Sequence, residues 1–256
     1  MLCQFTVKNY KSIRDEVTFD MQAAAIYEQE DKIIKDKDRA QLLPVSAIYG
    51  PNGGGKSNVL EALHTLAAKV LRPLYAAGAS EERIFLQKKL IIEPFAFPEE
   101  TKDQPTEFEV FFRTESAEYR YILHVKKDVV VYENLERVKL DTKRRSALFE
   151  RHEEIVLKGV FSKLKISDEL SAALPLLSYL GITYKKNEVV KDVLEWFEYG
   201  SCFLNYGDPM KELPMAVSAS EDVKQLMLDM IQEMDLDIVD FRAVKDENDK
   251  INVYTK

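Results

Sequence analysis

The eight residues Gly50-Pro-Asn-Gly-Gly-Gly-Lys-Ser57 limit what this chain can fold into more than any other stretch. They fit G-x-x-x-x-G-K-[ST] at every fixed position. Ahead of them stands the apolar run LLPVSAIY (Leu42–Tyr49), which reads as a strand buried on both faces. Behind them Val59, Leu60, Leu63, Leu66, Ala67, Val70 and Leu71 recur at helical spacing, and Pro73 and Gly78 predict where that helix ends. Strand, bare loop and helix in that order make an α/β fold with a phosphate-binding loop.

The residue types in the loop share one chemistry. Glycine tolerates backbone angles that other residues avoid, so successive N–H groups can turn inward as a concave anion nest. Without Cβ atoms at Gly53, Gly54 and Gly55, phosphate oxygens can come close to those amides, and Gly50 and the backbone of Asn52 belong to the same nest. A helix beginning near Lys56 points its positive dipole end at that spot. Lys56 supplies a full charge toward β- and γ-phosphates and is the candidate catalytic residue. The Ser57 hydroxyl is an oxygen donor suited to Mg²⁺. ATP and Mg²⁺ are the cofactors this pattern implies.

Along the rest of the chain, LCQFTVKNY (Leu2–Tyr10) and EVTFDM (Glu16–Met21) read as a hairpin closed by KSIRD. KLIIEPFAF, TEFEVFFR, YRYILHV, VVVYENLERVKL and SALFERHEEIVL predict an antiparallel meander from about Leu90 to Leu157. Helices are expected in SDELSAALPLLSYL, EVVKDVLEWFEYG and SEDVKQLMLDMIQEM. In the last, Val223, Leu226, Met227, Met230, Ile231 and Met234 form one apolar face, with Ser220 or Ser218 as cap. Trp196 and Phe197 are expected in the core of their helix. The chain closes as strand, polar turn and strand. The organisation expected is a P-loop core with its hairpin over 1–89, an antiparallel insert over 90–166, a helical segment over 167–235, and strands returning to the head over 236–256.

FTVKNYKSI together with YGPNGGGKSNVLEAL resembles the opening of ABC-type ATPase heads of the SMC and RecF group. It is more similar still to AAA-family ATP-binding proteins related to the overcoming-lysogenization-defect (OLD) and Rlo proteins. Those begin with a strand and an N-[FY]-[KR]-S turn, continue with a G-x-N-x-x-G-K-S-N loop, and carry an inserted antiparallel sheet. The resemblance implies an ABC/SMC-like ATPase head, N-terminal lobe. It places Asn9, Lys11 and Ser12 beside the nucleotide, and matches Asn52 and Asn58 to the family's two loop asparagines. It further implies ATP hydrolysis coupled to closure of a homodimer of heads, in a prokaryotic defence system with a nuclease or other toxic effector. A nucleotide-sensing scaffold and a RecF/SMC-like repair ATPase are the alternatives. A small-molecule kinase is disfavoured, because the meander stands where such enzymes carry lid and acceptor regions.

Hydrolysis needs more than a cradle. No apolar strand in the sequence ends in Asp-Glu, and the family's signature segment and switch histidine have no counterpart. KINVYTK reads as the middle of a strand pair, so the expectation is that these residues are the N-terminal part of a longer protein.

The net charge of -8, about -6 of it between Gly207 and Lys256, argues against binding duplex DNA with the whole surface. Lys143, Arg144 and Arg145 read as a solvated hairpin tip. His64, His124 and His152 have no zinc-like spacing, and Cys3 and Cys202 do not make a disulfide framework. No signal peptide or membrane span is legible, so a cytoplasmic protein is expected.

Overall fold

The computed structural model describes residues 1–24, 32–35, 41–78, 90–97, 99–200, 217–218, 220–233, 238–246 and 251–256. They fall into two compact units, Met1–Cys202 and Phe203–Lys256. None of the described helices is long and apolar enough to cross a membrane.

The first unit is built on one seven-stranded sheet, antiparallel throughout, in the order β2-β1-β3-β4-β5-β6-β7. Its strands are β1 (Leu2–Lys8), β2 (Val17–Asp20), β3 (Thr106–Arg113), β4 (Ala117–Lys126), β5 (Val129–Lys139), β6 (Arg145–Arg151) and β7 (Ile155–Leu157). β1 lies between β2 and β3, so the N-terminal hairpin and the meander share one ladder. Alternation explains which face is covered: Cys3, Phe5 and Val7 are buried, whereas Leu2, Gln4 and Thr6 are only partly so.

Helices α1 (Lys56–Gly78), α3 (Leu176–Thr183) and α4 (Glu188–Tyr199) cover the apolar face; α2 (Glu99–Lys102) is a single turn. Val59, Ala62, Leu66 and Val70 of α1 join Phe5, Val7 and Phe108 in one core. Trp196 stacks on Phe112 with ring centroids 4.1 Å apart, and Phe197 meets both rings edge-on, as the sequence predicts for this pair.

Several elements depart from the sequence expectation. Leu42–Tyr49 does not form a buried strand. Only its start pairs, through Leu43 N–H to Met21 O and bridges from Leu42 to Gln22 and Ile34, next to the bond from Ala23 N–H to Gln41 O just before it. Pro44 then lacks the N–H that the ladder needs, and Val45 and Tyr49 are 77% and 90% exposed. A strand buried on both faces requires a neighbour on each side, and among the described residues no strand stands beside 44–49. KLIIEPFAF is no strand either: its described part lies against the 9–13 turn, where Lys11 N–H donates to Glu93 O. Of the two residues expected to end α1, Gly78 is its last and Pro73 lies inside it. Packing overrides the proline here, with Leu74 seated over Gly181 of α3 and the Ser178 hydroxyl donating to Val70 O at 2.7 Å.

Helix α3 starts late, at Leu176, because Pro175 precedes it and offers no side-chain cap. Glu133 of β5, 0% exposed, caps it instead by accepting from Leu176 N at 2.6 Å and Leu177 N at 2.9 Å. Tyr121 Oη donates to the same carboxylate, and Arg151 Nη1 stands 3.9 Å away while it donates to Leu174 O. Burial pushes the Glu133 carboxyl above the ordinary glutamate range, against the pull of those hydrogen bonds. Burial likewise pushes the Cys3 thiol up to about 11.

The second unit holds α5 (Glu221–Glu233) and the hairpin β8 (Phe241–Lys245) and β9 (Ile251–Thr255). Ser220 is the cap, its Oγ accepting from Val223 N. The apolar face of α5 is divided. Met227 and Ile231 line a small apolar cavity with Ile238, Phe241 and Val253, while Val223, Leu226 and Met230 are exposed. Met234 lies outside the described residues.

Glu133→Ala is expected to cost about 3–5 kcal/mol at neutral pH, read as a lowered urea midpoint, because it strands Arg151 and two helix amides. The folded state holds the Glu133 proton more tightly than the unfolded chain. This group's contribution to stability therefore falls as pH rises from the ordinary glutamate range through its folded value. Glu133→Gln is expected to remove that part of the pH dependence.

Candidate functional site

The loop from Gly50 to Gly55 hangs at the N-terminal end of α1, and Gly50–Gly54 are exposed. Gly53 and Gly55 have φ of +79° and +82°, where a Cβ is strained, and this is the local reason that glycine stands at both positions. Gly54 N–H donates to Pro51 O at 3.2 Å and tightens the turn. Among the described residues nothing accepts from the N–H groups of Gly53 and Gly55. Lys56 folds back over the loop, and its Nζ donates to Gly50 O at 2.8 Å and Pro51 O at 2.7 Å. An ammonium, amides without acceptors and a helix N-terminus thus stand together at one exposed stretch of the chain.

The N-terminal turn docks onto this loop. Ser12 Oγ accepts from Asn58 Nδ2 at 2.6 Å and lies so near Gly55 that a Cβ there would meet it at 2.9 Å. Lys11, at φ +48°, pairs with Glu61 one turn into α1. Burial alone would lower the Lys11 ammonium, but the Glu61 carboxylate more than offsets it and holds it above the ordinary lysine value. Tyr10 Oη shares a buried hydrogen bond with Thr65 Oγ1 at 2.9 Å, which fixes the turn to the helix.

Asn9 is placed differently. It is 1% exposed; its Nδ2 faces the carbonyls of Thr101, Gln104 and Pro105, and its Oδ1 accepts from Phe95 N. Its side chain is spent on holding the 95–105 loop, and its φ of +55° shapes the turn that presents Lys11 and Ser12. Sequence reasoning missed Glu61 and Thr65, the α1 groups that grip this turn. The signal was their spacing on one helix face, at i and i+4.

Ser57 is exposed at the second position of α1. Its hydroxyl suits one oxygen position of a Mg²⁺ shell, which takes its remaining ligands from phosphate, water or carboxylate. No group of three or more His, Cys, Asp or Glu able to hold a metal occurs among the described residues.

Residues 45–188, more than half of the chain, match a family model described as "AAA domain, putative AbiEii toxin, Type IV TA system". The chain belongs to this family. The matched residues contain the Gly50–Ser57 loop, α1, β3–β7 and α3. The AAA domain is a P-loop NTPase, an α/β fold in which the helix after the loop packs on a large antiparallel sheet, and its family is one of nucleotide-binding ATPases. Of the OLD, Rlo and SMC likenesses, the match bears only on the broader AAA/ABC-type class. No curated protein matches the chain closely enough for comparison. β1 and the turn bearing Lys11 and Ser12 precede the matched residues, yet Ser12 of that turn lies against Gly55 of the loop.

Gly55→Ala is expected to cost about 1–2 kcal/mol from its backbone angle alone. Adding Ser12→Ala should recover only the steric part of the total loss. A double-mutant cycle on urea midpoints measures both shares. Equal stability of Gly55→Ala and the wild type would contradict the geometry.

Proposed function

We propose that the AAA domain binds ATP and ADP with Mg²⁺ at the Gly50–Ser57 loop and works as an ATPase head whose nucleotide state governs pairing with a second head. The observation that carries this reading is that the Gly53 and Gly55 amides without acceptors, the Lys56 ammonium and the N-terminus of a 23-residue helix stand together. Polyphosphate oxygens replace Gly50 O and Pro51 O as acceptors for Lys56. Gly53, Gly54, Gly55 and the backbone of Asn52 hold the β- and γ-phosphates. Ser57 gives its oxygen to Mg²⁺, which supplies charge neutralisation at those phosphates when bound.

Lys11, Ser12 and Asn58 form the flank of the site. The turn carrying Lys11 and Ser12 is positioned by Asn9, and the ion pair of Lys11 with Glu61 opens when a ribose or phosphate oxygen draws the ammonium toward the loop. Asn58 keeps Ser12 directed at Gly55. In this reading the domain holds nucleotide by itself, and closure of a partner head over the loop completes hydrolysis.

The biological setting we propose is prokaryotic defence, in which nucleotide-driven closure of the heads controls a toxic effector such as a nuclease. The family description names an AbiEii toxin of a type IV toxin–antitoxin system, which supports that setting.

Calorimetric titration with Mg-ADP and Mg-ATP is expected to show saturable binding at one site. Lys56→Ala should weaken it by about 10- to 100-fold, the worth of charge-assisted hydrogen bonds to phosphate. Unchanged affinity in Lys56→Ala, or no heat with either nucleotide, would overturn the assignment. Rapid turnover by the isolated 256-residue protein, with no dependence on protein concentration, would contradict completion by a partner head.

A further inference from the structure

On the helix-bearing face of the sheet there is an open cavity of about 610 Å³, lined by residues other than those of the phosphate loop. Its floor is β4 and β5, where Tyr119 and Arg137 stand opposite one another in register. The first turns of α4 form one wall. Volumes of this order are typical of small-molecule sites.

Arg137 is what makes the cavity a built site. It is only 8% exposed, and its Nε is buried with no hydrogen-bond partner. The carboxylates around it are engaged elsewhere. Asp192 accepts from the hydroxyls of Thr114, Ser116 and Tyr119 at 2.7–2.9 Å. Glu136 pairs with Arg120 and Arg145, and Glu195 pairs with Lys191. A buried guanidinium N–H without an acceptor is costly, and its fork of donors matches a carboxylate or phosphate.

The rim of the cavity has the opposite character. Glu115, Asp141, Glu188 and Glu195 are exposed carboxylates along its edge and outnumber its two exposed lysines, Lys139 and Lys191. Such a rim repels polyanions and attracts an ammonium. A ligand that satisfies both parts carries one compact oxyanion and one amino group.

We propose that this cavity binds a small zwitterion, its carboxylate or phosphate monoester seated on Arg137 and its amino group at the rim of Glu115, Asp141 and Glu188. The proposal stands apart from nucleotide binding, since it uses none of the residues at the loop.

The test is NMR of the arginine Nε–Hε signals in the full 256-residue protein, with the Arg137 signal assigned through Arg137→Met. The probes are 6-aminohexanoate and phosphoethanolamine, which separate the carboxylate from the phosphate source, with hexanoate and inorganic phosphate as matched simple anions. At least one zwitterion is expected to shift the Arg137 signal saturably, at least about tenfold more tightly than its matched anion. Arg137→Met should raise the melting temperature, because it removes a buried donor that has no acceptor. Arg137→Lys, which keeps the charge but loses the fork, should weaken binding while leaving the protein folded. The proposal is overturned if neither zwitterion moves the signal, if the simple anions bind equally well, or if Arg137→Met lowers the melting temperature as a purely structural arginine would.

Discussion

Everything in the first unit depends on burial of one apolar stripe of α1 against one face of the sheet. Val59, Ala62, Leu66 and Val70 meet Phe5, Val7 and Phe108 there, and together they remove a large apolar area from water. Because α1 begins at Lys56, that contact also decides where the glycine loop sits. The hydrogen bond between Tyr10 and Thr65 sets how the N-terminal turn meets the same helix. Core and site are thus positioned by one helix.

Much of this was legible in the sequence, and the legible parts share a cause. Period-2 runs such as TEFEVFFR, and the 3.6-period stripe following Ser57, report local geometry directly, so the meander, α1 and α4 follow from their own residues. The glycine loop is legible because its residue types are demanded by backbone angle. What failed depends on distant partners. Leu42–Tyr49 has a strand's composition, but composition cannot supply neighbours, and Pro44 stops the pairing after Leu43. The start of α3 was misplaced because its cap is Glu133, on another strand, and no local pattern encodes that. Pro73 does not end α1, since Leu74 finds Gly181 of α3. The half-exposed face of α5 likewise reflects what covers it and not its own periodicity.

At the N-terminal turn the sequence identified the right stretch but not the division of labour within it. Asn9, Lys11 and Ser12 stand close together in the chain, yet the fold sends Asn9 inward to the 95–105 loop and directs Lys11 and Ser12 toward α1. Left-handed backbone at Asn9 and Lys11 is the cause, since each such residue turns the next side chain away from the direction of the last.

The broken ladder at Pro44 also has a mechanical side. Between Leu43 and Gly50 the backbone has no rungs among the described residues, whereas past Ser57 it is anchored in the core by Val59, Ala62, Leu66 and Val70 of α1. The glycine loop is therefore referred to the helix and not to the sheet: its C-terminal end continues into α1, and Lys56 ties its N-terminal end back to the same helix through Gly50 O and Pro51 O, so any shift of α1 carries the loop with it.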